Sequence, residues 1–134
     1  MKLTILDPGH FHAALVQKSM YAGVDDAVDV YAPAGPDLDD YLRKIDAYNA
    51  RPQDPTRWRV RVHTGPDFLE RFAADARGGV VVIAGSNARK TEYLTRAVAA
   101  GYHTLADKPM AIDADGFAAL ETAGVQELVL DLRY

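Results

Sequence analysis

Three groups of residues in this sequence have types and spacing that could do chemistry. Asn87 follows Gly85-Ser86 at the end of an apolar run, Val80-Val81-Val82-Ile83-Ala84. Asp107-Lys108-Pro109 closes a second, shorter run over residues 103–106. Near the start stands the turn Asp7-Pro8-Gly9-His10-Phe11-His12. A lysine directly after a buried strand and locked by a proline is held more rigidly than a surface lysine. To act as an acid or base near neutral pH, Lys108 would need its pKa lowered by burial or by a neighbouring cation. Asn87, in a turn before a helix, can cap that helix and still face a crevice.

The first turn reads as a reduced phosphate loop. Set against the G-x-G-x-x-G spacing of dinucleotide-binding folds, Asp7 and His12 stand where the first and third glycines would be. Only Gly9 remains to let the backbone approach a diphosphate. An acid about 20 positions later normally holds the adenosine ribose. That place reads Tyr31-Ala32-Pro33-Ala34, without a carboxylate, so the choice between NAD and NADP stays open, as does loss of cofactor binding. His10 and His12 form an H-x-H pair, but no third carboxylate or histidine stands at useful local spacing, and the reading is no metal site.

These residues need elements to position them. Strands are expected over residues 3–6, 27–31, 58–63, 103–106 and 127–132, besides the run from Val80. Between them fall a helix over 12–21, with Gln17 and Lys18 on its outer side, and one capped by Asp37 that carries Leu38, Tyr41, Leu42, Ile45 and Tyr48. Asp67 can cap a helix with Phe68, Leu69, Phe72 and Ala76; a helix over 89–100 turns Tyr93, Leu94, Ala97 and Val98 to one side; Asp113 can cap a last one through Phe117, Leu120 and Ala123. Strands alternating with helices imply an α/β, Rossmann-like, doubly wound and largely parallel sheet with helices on both faces. In such sheets ligands bind outside the carboxyl ends of the strands, which sets Asn87 and Lys108 side by side on one rim. Arg59 and Arg61 read as the solvent face of an edge strand, and His63 and His103 as ordinary strand residues.

With 134 residues the chain suits one domain, and with 49% apolar residues it can bury a core. A net charge of -4 gives no electrostatic ground for nucleic acid or an anionic membrane as partner. The absence of cysteine excludes a disulfide framework and a thiolate zinc site. The opening MKLTIL is too short an apolar run for a signal peptide, so a cytoplasmic location is expected.

The order of apolar strand, small-Asn turn, helix ending Ala100-Gly101-Tyr102-His103, strand and Asp107-Lys108-Pro109 resembles the Gfo/Idh/MocA family of NAD(P)-dependent oxidoreductases. The resemblance runs over residues 3–132 and is specific between 81 and 112. The family's Glu-Lys-Pro signature reads Asp107-Lys108-Pro109 here, with an acid one methylene shorter. The resemblance implies an NAD or NADP cofactor held by Gly9, His10, Phe11, His12, Ser86, Asn87, Asp107, Lys108 and Pro109. It implies that Ser86 and Asn87 line the nicotinamide half. Lys108 would be the catalytic residue, contacting the nicotinamide ribose and the hydroxyl of a sugar, cyclitol or polyol. Family members continue into a second α/β domain that supplies most of the substrate pocket. The chain ends at Tyr134, so it is expected to be that family's nucleotide-binding domain without the substrate domain, and incomplete as a catalyst.

Other functions remain in view. Loss of two glycines and of the ribose acid favours a non-catalytic module that binds a dinucleotide or small anion. A receiver-like signalling domain also ends a strand with Lys-Pro, but Asp7 is single and the third strand runs into His63-Thr64 rather than an aspartate. A scaffold fragment with an exposed sheet edge could form a homo-dimer.

Overall fold

A computed structural model describes residues 1–107 and 111–123. Among the described residues five strands form one sheet: β1 (Leu3–Leu6), β2 (Ala27–Tyr31), β3 (Arg59–His63), β4 (Val80–Ile83) and β5 (His103–Ala106). Their spatial order is β3-β2-β1-β4-β5 and every pairing is parallel. The chain steps outward from β1 to β3 and then returns to place β4 on the other side of β1. That reversal opens a crevice at the carboxyl ends of β1 and β4, the place where such sheets take ligands. The strand expected over 127–132 lies outside the described residues.

Side chains alternate across the sheet, so the apolar runs feed two cores. Leu6, Val81 and Ile83 face one side and pack with α3 (Phe68–Asp75) and α4 (Lys90–Ala99) through Phe72, Tyr93 and Leu94. Leu3, Ile5 and Val82 face the other and pack with α1 (His12–Leu15) and α2 (Pro36–Asn49) through Ala13, Leu38 and Ile45. The outer strand β3 is half solvated, with Arg59 and Arg61 exposed as expected, but Val62, on the face expected to be covered, is exposed as well. Arg59 pairs with Asp26, and Arg61 and His63 both bond the buried Asp29. No described helix is long and apolar enough to cross a membrane.

The first helix departs from expectation. Its pattern suggests ten residues, yet α1 stops after Leu15 and Gln17 is fully buried rather than outward. Three successive backbone carbonyls that would continue the helix are taken by side chains instead. Tyr21 donates its hydroxyl to Val16 O at 2.7 Å, Trp58 its indole N–H to Gln17 O at 2.7 Å, and Arg51 its guanidinium to Lys18 O at 2.6 Å. A helix of four residues carries little macrodipole, so it adds little pull on an anion at the first turn.

Caps also differ in part. Gly35 occupies the cap position of α2, with Pro36 at the first helical place that suits proline, so Asp37 lies in the first turn and caps nothing. Asp67 holds the cap position of α3, but its side chain makes no cap hydrogen bond. Asp113 caps α5 (Ala114–Thr122) as expected, its carboxylate accepting from Gly116 N at 2.7 Å. In that helix Leu120 is buried while Phe117 faces solvent.

Candidate functional site

Two loops meet at the β1/β4 switch point. Gly85 has φ +121°, and a side-chain carbon there would stand 2.5 Å from Gly9 Cα, so only glycine lets the two turns touch. At Gly9 the direction of a side chain is filled by the second loop, with Ser86 N at 3.3 Å. The backbone N–H groups of Gly9 and His10 both donate to Ala84 O, at 3.0 and 3.2 Å. Gly9 thus serves loop-to-loop packing here, and its amide is engaged by protein rather than turned to the crevice.

Asp7 adopts a left-handed backbone, φ +46°, and its carboxylate accepts the Tyr93 hydroxyl on the α4 side of the sheet. The charge that would repel a diphosphate is therefore directed to a neutral donor. Burial first, and then Asp7, push the Tyr93 phenol above its ordinary pKa, so it stays a hydroxyl that can donate.

Beyond the turn, His10, Phe11 and His12 cluster with ring centres 4.3 to 4.4 Å apart. His12 Nδ1 lies 3.3 Å from Asp107 Oδ2, and His10 Nδ1 lies 3.7 Å from the same oxygen. Desolvation and the neighbouring His12 hold His10 below the ordinary imidazole pKa, against the opposing pull of Asp107. His10 is accordingly neutral at pH 7.

The second group converges from β4 and β5. Ser86 takes a left-handed backbone, φ +41°, which turns the chain into a 3-10 turn over Asn87–Arg89. Asn87 is no cap: its side-chain oxygen accepts from Lys90 Nζ at 3.2 Å. Lys90 is fully buried, and its ammonium also donates to Asp107 O at 3.0 Å and to Asp107 Oδ1. One buried cation thus joins the turn after β4 to the end of β5. A buried charge persists only when paired and hydrogen-bonded, and Lys90 has three acceptors.

Of the residues singled out in the sequence, the fold brings Gly9, His10, Phe11, His12, Ser86, Asn87 and Asp107 to one rim. Lys108 and Pro109 lie outside the described residues. Lys90 was missed, although the helical spacing contains it: position 90 extends the buried face of Tyr93, Leu94 and Ala97 back by three residues. Asp37 was misread as a cap. Its carboxylate lies 3.6 Å from where a side-chain carbon on Gly9 would stand, in a hollow shared with Pro8, His10, Asp40 and Lys44. At the end of β2 itself there is indeed no carboxylate facing this hollow. Tyr31 turns to the opposite side, stacks on His63 at 4.4 Å and gives its hydroxyl to Asp75. Burial and then Asp75 push the Tyr31 phenol up to about 12.

The sequence matches no protein-family model and no curated protein sequence. It is similar to solved structures. A provisional oxidoreductase of Parabacteroides merdae is 49% identical over 92% of this chain and 28% of that one, with a TM-score of 0.89. A provisional myo-inositol dehydrogenase of Sinorhizobium meliloti is 18% identical, with a TM-score of 0.61, over 96% of this chain and 35% of that one. The WlbA dehydrogenase of Bordetella pertussis, solved with NADH and UDP-GlcNAcA, is 17% identical, with a TM-score of 0.52, over 96% and 36%. The last two likenesses carry the fold alone. The chain spans 28% to 36% of the length of these structures. With its parallel β3-β2-β1-β4-β5 sheet and the rim built at the switch point, the chain has a Rossmann-like fold and is similar to the corresponding portion of Gfo/Idh/MocA-type oxidoreductases.

Proposed function

We propose that this chain is the NAD(P)-binding domain of an oxidoreductase acting on a sugar, cyclitol or polyol. The observation that carries the reading is the strand order β3-β2-β1-β4-β5, whose β1/β4 switch point is where such sheets take ligands, with Asn87 and Asp107 tied together beside it by Lys90. The donor set suits a dinucleotide at both ends. Asp7 is directed to Tyr93, which relieves repulsion at the diphosphate, and Asp37 stands beside Gly9, where a carboxylate can accept from ribose hydroxyls. Such a carboxylate would also repel a 2′-phosphate, so the cofactor is NAD rather than NADP.

In this reading the bound nicotinamide ring accepts or delivers hydride. Ser86 and Asn87 border that ring, and Lys90 keeps Asn87 and the end of β5 in register. Lys108, next along the chain from Asp107, bonds the substrate hydroxyl and assists loss of its proton. The dehydrogenases with similar folds are longer chains, and WlbA was solved with NADH and a nucleotide sugar, which supports a second domain completing the substrate pocket.

A second reading is a dinucleotide or small-anion module without turnover. It is favoured by the engagement of the Gly9 and His10 amides with Ala84 O, which removes two donors from a phosphate cradle. Titration with NADH and NADPH, followed by nucleotide fluorescence on the wild type and on Lys108→Ala, tests the proposal. Saturable binding that prefers NADH and weakens in Lys108→Ala is expected; absence of binding to either nucleotide overturns it.

A further inference from the structure

The rim on which the dinucleotide reading rests also holds three side-chain donors close enough together to share one ion. His10, His12 and Asp107 each offer a ligand atom, and these atoms all lie within 4.8 Å of one another. The histidines come from the first turn and the carboxylate from the end of β5, with 95 positions between His12 and Asp107. No local spacing reveals such a set; parallel packing of β1, β4 and β5 assembles it.

We propose that His10, His12 and Asp107 bind one divalent first-row transition ion, of the zinc, cobalt or nickel type, on the crevice rim. The proposal stands independently of the dinucleotide reading. Zinc sits about 2.0–2.2 Å from imidazole nitrogen and carboxylate oxygen, which sets the donors of a tetrahedral centre about 3.4 Å apart. The distances from Asp107 Oδ2, 3.3 Å to His12 Nδ1 and 3.7 Å to His10 Nδ1, straddle that value. The longer one exceeds a direct hydrogen bond and suits a pair of atoms bridged by a third. Two imidazoles with one carboxylate favour these ions over magnesium or calcium, which take oxygen ligands.

The surroundings suit a ligand as well. Lys90 holds Asp107 Oδ1 and the Asp107 carbonyl, which leaves Oδ2 aimed at the histidines before any ion arrives. The same ammonium repels a second cation, so the ion is held more weakly than in a closed structural site. The His10 side chain is 43% exposed, which gives an entry path. Three protein ligands leave at least one position for water or for an oxygen of a molecule in the crevice, the arrangement of an open site.

The test is titration of the untagged chain with Co²⁺ by visible absorption, and with Zn²⁺ by calorimetry. One ion per chain is expected, with the ligand-field bands of nitrogen and oxygen coordination. His10→Ala touches an exposed side chain and leaves the fold intact by circular dichroism. It should weaken binding by more than about tenfold, the loss that even outer partners of metal ligands produce. Asp107→Asn should do the same, and His103→Ala, on the exposed start of β5, should change nothing. Failure to saturate at one ion per chain overturns the proposal. So does undiminished affinity in His10→Ala, or a loss confined to His103→Ala.

Discussion

Replacing Lys90 with methionine keeps the length of the side chain and removes its charge. In the native fold the buried ammonium satisfies the Asp107 carboxylate, the Asp107 carbonyl and the Asn87 side-chain oxygen. Its removal strands a carboxylate only 11% exposed, and breaking a buried pair from one side costs about 3–5 kcal/mol. The lower end applies, because His12 and His10 lie 3.3 and 3.7 Å from the other carboxylate oxygen, which keeps polar neighbours when Lys90 is gone. A loss of about 3 kcal/mol, at a urea slope of about 2 kcal/mol per molar, lowers the midpoint by about 1.5 M. The double variant Lys90→Met/Asp107→Asn removes both charges and should recover at least about 1 kcal/mol of that loss. Urea unfolding of wild type, both single variants and the double variant measures each quantity. A Lys90→Met midpoint within about 0.3 M of wild type would refute the reasoning. Equally, a double variant that loses the full sum of the singles would show that the two groups do not act as a pair.

Other consequences are open to direct test. Asp37→Ser should raise the affinity for NADPH relative to NADH, read by nucleotide fluorescence; an unchanged ratio would remove Asp37 from the ribose subsite. Gly85→Ala would force a side-chain carbon to 2.5 Å from Gly9 Cα at a left-handed φ of +121°, and should lower Tm by more than the shift from about 1 kcal/mol. Tyr93→Phe deprives the Asp7 carboxylate of its hydroxyl and should cost about 1–3 kcal/mol in urea unfolding. For Asp29, burial raises the pKa, but the bond from His63 and the charges of Arg77 and Arg61 outweigh it, so the folded-state pKa is depressed. A depressed carboxylate contributes stability that is complete above its unfolded pKa of about 3.9 and is lost as pH falls through the lower folded value. Asp29→Asn should therefore flatten the acid limb of the stability curve; an unaltered limb would contradict the assignment.

How far these features were legible follows from the range over which each is determined. The strands β1, β2 and β4 are buried on both faces, so their apolar runs stand out in one dimension. The edge strand β3 is equally plain from its alternation of arginine and valine. The length of α1 was not legible, because Trp58 and Arg51 take its carbonyls from far along the chain. The pairing of Lys90 with Asp107 and the convergence of His10, His12 and Asp107 depend on strand order, which no local pattern encodes. Asp37 misled because an acid before an apolar helical face is the ordinary signature of a cap. Here Pro36 starts the helix two residues earlier and leaves the carboxylate beside the Gly9 turn.

The central claim is that a dinucleotide lies across the β1/β4 crevice. It is tested most directly by NMR of the labelled chain during titration with NADH. The account predicts saturable shifts concentrated at the amides of residues 9–12, 85–87 and 107, with the outer strand β3 unaffected. Saturation without shifts at those positions, or no saturation at all, would contradict it.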